Sequence, residues 1–246
     1  MSKIFITGSA DGLGKLCAAV LVSQGHEVFL HARSESRGVD ALKGVPGASG
    51  VLTADLTSME QTKKLGNEAN KLGPWDAIIH NAGVYRTSSR EIFAVNTLAP
   101  FILTALIERP KRLVYLSSGM HLHGQPNLDK FTGDLSNISY SDSKLHVVML
   151  AITVAREWPG VYSNAVDPGW VPTKMGGRGA PDDLQQGYET QAWLAVSDDP
   201  NARVTGRYFH HKKERRHNPL ADDASMRSNF IAKCEALTGI PFPKEK

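Results

Sequence analysis

Short, continuously apolar runs alternate along the chain with longer stretches whose apolar residues recur every three or four positions. KIFIT (3–7), EVFLH (27–31), GVLTA (50–54), DAIIH (76–80), RLVYLS (112–117), VYSNAV (161–166) and GRYF (206–209) read as strands. Helical patterns lie near 13–24, 35–43, 58–71, 90–107, 139–157, 183–197 and 221–238. Strands alternating with helices of this length form βαβ units, and strands apolar at successive positions are covered on both faces. No internal repeat and no linker rich in Pro, Gly or Ser divides residues 1–246. The pattern predicts a single α/β domain: a doubly wound parallel sheet of about seven strands with helices on both faces.

Two segments break the periodicity. Residues 119–138 (GMHLHGQPNLDKFTGDLSNI) have no clear period, and 168–182 (PGWVPTKMGGRGAPD) hold too much proline and glycine for a regular element. Both follow strands, and ligands of open α/β sheets bind beyond the carboxyl ends of strands. They are expected to form the substrate walls, the second reaching to about residue 190. Trp170, Met175, Leu122 and Leu128 on these walls predict a small-molecule substrate of moderately apolar character.

Composition narrows the partners. A net charge of +3 is compatible with an anionic ligand but far from the basic signature of a nucleic-acid binder. HHKKERRH (210–217) reads as a solvated loop, because it lacks interleaved aromatics, Glu214 interrupts it, and its histidines lack metal-ligand spacing. His121 and His123 likewise read as surface residues. Cys17 and Cys234 show no CxxC spacing, so neither a disulfide framework nor a zinc site is expected, and the default compartment is cytoplasmic. No targeting segment is visible. The longest apolar stretches, 98–107 and 145–155, are about half a membrane span, so a soluble protein is expected.

The chemistry begins at TGSADGLG (7–14), which follows the first strand and opens a helix. There Gly8 permits a tight turn, Gly12 lets backbone N–H groups approach a pyrophosphate, and Gly14 lets the helix pack closely. A glycine-rich turn with no ligand is the alternative, but the strand–turn–helix setting favours a nucleotide. Further motifs fall in order: Asp55-Leu56 after the third strand, Asn81-Ala82-Gly83 after the fourth, and Ser117-Ser118 ending the fifth. Tyr140-x-x-x-Lys144 follows on a helix, and Asp167-Pro168-Gly169 ends the sixth strand with Thr173 close behind. From residue 3 to about 175 the chain resembles the short-chain dehydrogenase/reductase family. The tail from Gly206 to Phe242 resembles its retinol-dehydrogenase-like branch.

This resemblance implies a Rossmann-type enzyme that exchanges hydride between a nicotinamide cofactor and a CH–OH/C=O couple. It implies cofactor contacts at Gly8, Asp11, Gly12, Leu13 and Gly14, adenine contacts at Asp55 and Leu56, and further contacts at Asn81, Ala82, Gly83, Pro168, Gly169 and Val171. Tyr140 and Lys144 serve both cofactor and catalysis. Residues four apart share a helix face, about 6 Å along the axis. A phenol is a poor acid–base group at neutral pH, and a neighbouring ammonium or a positively charged nicotinamide ring is expected to lower its pKa. Tyr140 would then exchange the proton with the substrate oxygen, and Ser118 would hydrogen-bond that oxygen. By resemblance, Asn96 supports a water through which Lys144 exchanges protons.

Arg33 addresses cofactor choice. It lies about twenty residues beyond the glycine loop, just past the second strand, where an acid would bind the ribose of NAD and an arginine accommodates the 2′-phosphate of NADP. No Asp or Glu stands at 31–34, and Ser34 adds a hydroxyl. NADP is therefore expected over NAD, with Asp11 counting slightly the other way and NAD remaining possible. A solvated loop arginine is the alternative.

Three departures from the family pattern stand out. The stretch from Ser118 to Tyr140 is long, His80 replaces an amide expected near the adenosine, and the helix ending at Glu108-Arg109-Pro110 is clipped. In many relatives that helix joins the Tyr/Lys helix in a dimer interface, so a monomer or an atypical dimer is expected. The leading function is an NADP-dependent carbonyl reductase or alcohol dehydrogenase. A non-catalytic NADP-binding regulator on the same fold is the rival, which the intact Ser118, Tyr140 and Lys144 set opposes. An epimerase or dehydratase would need a larger substrate domain.

Overall fold

The computed structural model describes residues 1–132 and 137–244. Among them, one sheet contains β1 (Lys3–Ile6), β2 (Glu27–Ala32), β3 (Gly50–Thr53), β4 (Ala77–His80), β5 (Arg112–Leu116), β6 (Tyr162–Asp167), β7 (Arg207–His210) and β8 (Lys213–Arg215). Their order is β3-β2-β1-β4-β5-β6-β7-β8. The first seven are parallel, and β8 returns antiparallel along β7. The order reverses between β1 and β4, which opens a crevice at their carboxyl ends.

Helices cover both faces. On one side lie α1 (Gly12–Ser23), α2 (Glu35–Gly44) and, late in the chain, the helix Leu184–Val196. On the other lie α3 (Met59–Leu72), α4 (Ser89–Phe93), α5 (Ala99–Leu106) and α6 (Tyr140–Glu157). The Leu184–Val196 helix is α7, and α8 (Ala224–Thr238) joins the second layer. The alternation of strand side chains divides the apolar residues between two cores: Ile4 and Ile6 enter the first, and Phe5 the second.

Side chains set the helix starts. Ser139 accepts the Asp142 N–H at 3.1 Å while Asp142 accepts the Ser139 N–H at 2.9 Å. This capping box fixes Tyr140 as the first residue of α6. Asp11, Ser58, Asp183 and Asp223 cap α1, α3, α7 and α8, each by accepting one backbone N–H of the helix start.

The structure differs from the sequence reading in four places. The expected loop at 210–217 contains β8, entered through a turn in which His211 and Lys212 take φ of 50° and 61°. All three β8 side chains are exposed, so the solvated character holds although the strand was not foreseen. The single helix expected over 90–107 is interrupted by a π-helical turn at Ala94–Leu98. The second wall ends earlier than residue 190, because Asp183 caps α7 and Leu184 is already helical. The first wall contains 3-10 turns at Gly119–His123 and Leu128–Thr132, and its residues 133–136 lie outside the described residues.

The outer faces of α5 and α6 are covered from within the chain. Phe230 on α8 stacks on His146 at 5.4 Å, and Phe242 beyond α8 stacks on Trp158 at 5.4 Å and on Phe101 at 6.4 Å. Asp142 to Val154 are buried without a break, although a solvent-facing helix would show a polar stripe. No helix among the described residues is long and apolar enough to cross a membrane.

Candidate active site

A cleft of about 660 Å³ opens at the carboxyl ends of β1 to β6. The glycine loop forms its floor. Gly8 has φ of 64°, and a Cβ there would lie 2.8 Å from the Ala82 Cα, so the position tolerates no side chain. Gly12 has φ of 55°, and a Cβ there would meet only Thr173, at 4.0 Å. It would fill the open space before the first turn of α1, where N–H groups and the helix dipole favour an anionic group. Gly14 does not line the cleft. A Cβ on it would collide with the Gly8 carbonyl at 2.6 Å and with the Asn81 amide, so its role is close packing.

Neighbouring side chains hold this loop. Asn81 donates to the carbonyls of Thr7 and Gly8, both at 3.0 Å. His31, at the end of β2, accepts the Gly8 N–H at 3.0 Å through Nδ1 and pairs with the Ala54 carbonyl at 3.0 Å through Nε2. Burial pushes its pKa down to about 4, which keeps the ring neutral and its Nδ1 free to accept. Asp11 accepts the Gly12 N–H at 2.8 Å and pairs with Lys174 across the cleft. The Lys174 ammonium holds the Asp11 carboxyl below the usual carboxylate range. Leu13 completes the floor.

At the end of the cleft beside β2 and β3, Arg33, Asp55 and Leu56 line it, with Asp55 holding its turn by accepting from Thr57. Arg37 joins them, one turn into α2, and also reaches Asp11 at 3.9 Å. Residue spacing offered a signal for it: Arg33 and Arg37 are four apart across a helix start. No such signal marked His31, an isolated histidine in an apolar strand. His80 does not line the cleft. It is buried, stacks on Tyr115 at 4.7 Å and pairs with Thr104 at 3.3 Å.

At the opposite end, Ala82, Gly83, Tyr140, Lys144 and Pro168 line the cleft. Ser118 stands near enough to Tyr140 to favour the phenolate, and its hydroxyl accepts the Met120 N–H at 3.2 Å. Lys144 lies 5.5 Å from the Tyr140 ring centre and donates to the Leu116 carbonyl at 2.8 Å. A Cβ on Gly83 would press on the Lys144 Nζ at 3.3 Å and lie 3.5 Å from the Asn96 Oδ1. Asn96 sits in the π-helical turn, a local irregularity common at functional sites. Its amide accepts the Val84 N–H at 2.8 Å and donates to Val84 O and Ser143 Oγ, both at 3.0 Å. The Asn96 side chain therefore braces the β4 loop against α6.

Burial overrides the expected Tyr140 activation. It pushes the phenol up to about 12, against Ser118, which favours the phenolate. It pushes Lys144 down to about 8, with the Asp167 carboxylate pulling partly back. At neutral pH this pair is a neutral phenol beside an ammonium, which makes Tyr140 a proton donor.

The walls match the sequence reading in part. Pro168, Thr173, Lys174 and Met175 line the cleft. Val171 does not; it is buried against Gly187, where a Cβ would lie 2.9 Å away. Gly169 supplies backbone shape, with φ of 82° and its N–H on Asp167. Leu128 packs against the second core. His121 is fully buried: Nδ1 pairs with the Ser118 carbonyl at 2.7 Å and Nε2 accepts the Asn218 N–H at 3.2 Å. It thus anchors the turn after Ser118. Cys17 and Cys234 are both free and buried.

Fold and site together define a nucleotide-binding α/β oxidoreductase. The family model for short chain dehydrogenase matches residues 2–183, and the chain belongs to that family. It is 43% identical to an uncharacterized oxidoreductase of Emericella nidulans, covering 99% of each chain. It is 41% identical to a short-chain dehydrogenase of Penicillium rubens, covering 99% of this chain and 100% of that one. Retinol dehydrogenase 14 of Mus musculus is 28% identical over 96% of this chain and 86% of its own, in line with the branch that the tail resembles. A solved structure of an uncharacterized protein from Mycobacterium paratuberculosis superposes with a TM-score of 0.82 at 24% identity, over 99% and 95% of the two chains. A Shigella flexneri short chain dehydrogenase complexed with NADP superposes with a TM-score of 0.67 at 21% identity, over 86% and 97%.

Proposed function

We propose that the protein is an NADPH-dependent carbonyl reductase converting a small ketone or aldehyde to an alcohol. The observation that carries this reading is Tyr140 with Lys144 5.5 Å from its ring centre and Ser118 beside it, at one end of a cleft whose other end holds Arg33 and Arg37. The residues fit the cofactor: Gly12 leaves room for a pyrophosphate at the start of α1, and two guanidinium groups suit a 2′-phosphate.

When bound, the cofactor supplies a hydride to the carbonyl carbon. Ser118 hydrogen-bonds the carbonyl oxygen as negative charge builds there. Tyr140, protonated across the neutral range, gives its phenolic proton to that oxygen, which leaves as the alcohol. The Lys144 ammonium stabilises the phenolate until it recovers a proton. The covered faces of α5 and α6 support a monomer. The test is consumption of NADPH and of NADH with a panel of ketones, aldehydes and quinones. NADPH-selective turnover supports the reading. Tight NADPH binding without turnover of any carbonyl would favour a non-catalytic regulator.

A further inference from the structure

Tyr85 follows the braced Val84 on the loop after β4, and its ring lies against the ring of Tyr140, centroids 4.7 Å apart and planes tilted by 55°. Lys144 approaches the same tyrosine at 5.5 Å from its ring centre. The Tyr85 position is held rather than incidental. Asn96 ties Val84 through both its N–H and its carbonyl, and Arg86 lies 5.4 Å from the Tyr85 ring centre in a left-handed conformation, φ 55°, rare for a residue with a side chain. Yet Tyr85 is 37% exposed, so one part of a large aromatic ring beside the reacting phenol is left to solvent.

It is not alone. Met1 and Val39 aside, every large apolar side chain exposed among the described residues lies on the loops that follow β4, β5 and β6. Met120 and Leu122 sit directly after Ser118, and Met175 shares the cleft with Tyr140. Trp170 follows Pro168, and its indole N–H is pinned to the Gly176 carbonyl at 2.8 Å. Exposed apolar side chains on the loops at the carboxyl ends of the strands, where ligands of such sheets bind, favour a ligand surface. Two fixed aromatic rings and two thioethers, which pack readily against ring edges, favour a flat π-system over a saturated one.

We propose that Tyr85 is a specificity-determining residue and that the substrate class is aryl carbonyl compounds, whose ring rests on Tyr85 while the carbonyl reaches Tyr140 and Ser118. The inference rests on the carbonyl-reductase reading for its chemistry, but its binding surface stands apart from turnover.

The experiment compares matched pairs, acetophenone with cyclohexyl methyl ketone and benzaldehyde with cyclohexanecarbaldehyde, in wild type, Tyr85→Ala and Tyr85→Phe. NADPH consumption gives kcat/KM, and quenching of intrinsic fluorescence gives binding independently. The expected aryl preference is about threefold to tenfold in wild type, kept in Tyr85→Phe and lost in Tyr85→Ala. A general drop in kcat that leaves the ratio intact in Tyr85→Ala would overturn the assignment, as would equal rates for both members of each pair in wild type. If no carbonyl is turned over, tighter aryl binding that Tyr85→Ala abolishes still supports the aromatic wall while refuting the reductase reading. Absence of both turnover and aryl-selective binding overturns the wall itself.

Discussion

Lys144 Nζ stands 5.5 Å from the centre of the Tyr140 ring and donates to the Leu116 carbonyl at 2.8 Å. That hydrogen bond keeps a buried amine aimed beneath the phenol, and burial brings its pKa down to about 8. A lowered lysine pKa means that the ammonium is present below about 8 and is lost above it. Tyr140, at about 12, stays protonated throughout. The rate of carbonyl reduction should therefore be level from about pH 6 to 7, reach half its plateau near pH 8, and fall with a single ionisation above that. Initial rates across this range check it. Lys144→Met should abolish the plateau and cut kcat by at least about a hundredfold, in line with the scale of acid–base assistance.

Four described histidines, His31, His80, His121 and His146, are buried, and burial lowers the pKa of each. Burial lowers His31 and His146 to about 4 and His80 to about 3. Below about pH 6.5 the unfolded chain takes up protons that the folded chain refuses until these lower values. Their contribution is complete above about pH 6.5 and is lost as pH falls from there toward 4, at about 1.4 kcal/mol per pH unit for each histidine. Urea unfolding at pH 7, 6 and 5 should show this loss before carboxylates titrate. His80→Phe, which removes a ring nitrogen pairing only with Thr104, should reduce the slope by one proton. An unchanged slope would mean that His80 does not titrate as described.

The sheet was legible because its strands are apolar at successive positions, a pattern that only double coverage explains. β8 was not, since Lys213, Glu214 and Arg215 are all exposed and carry no apolar signature. The π-helical turn at Ala94–Leu98 was hidden because one wider turn inside a helical run has no residue signature of its own. At the site, glycines and the Tyr140/Lys144 spacing announced themselves. His31 and Tyr85 did not, because each depends on a neighbour far away in sequence, Gly8 and Tyr140. Burial also decided the Tyr140 ionisation, and burial is not a property of four adjacent residues.

Arg33 and Arg37 should divide the recognition of a 2′-phosphate. Charge-assisted hydrogen bonds contribute roughly 1.5–3 kcal/mol each, so Arg33→Ala should weaken NADPH by about ten- to a hundredfold. NADH should be nearly unaffected. Arg37 is shared with Asp11 at 3.9 Å, and Arg37→Ala should cost less. The effect should shrink at high salt, as exposed ion pairs are screened. Calorimetric titration of both cofactors measures this. Equal losses for NADH and NADPH would make Arg33 a structural residue.

Phe242, packed on Trp158 and Phe101, covers the helices that pair subunits in many relatives. Light scattering should give a monomer mass near 26.8 kDa. Phe242→Ala should lower stability by about 3 kcal/mol and promote self-association through the uncovered face. A wild-type dimer or tetramer built on α5 and α6 would contradict this.

The most direct test of the account is the single-turnover rate of Tyr140→Phe with NADPH and any carbonyl that wild type reduces. The substitution keeps the ring against Tyr85 and removes only the proton donor. The account predicts a rate lowered by at least about a hundredfold, with NADPH affinity within about twofold of wild type. A variant that keeps a tenth or more of the wild-type rate would contradict the assignment of Tyr140 as the acid.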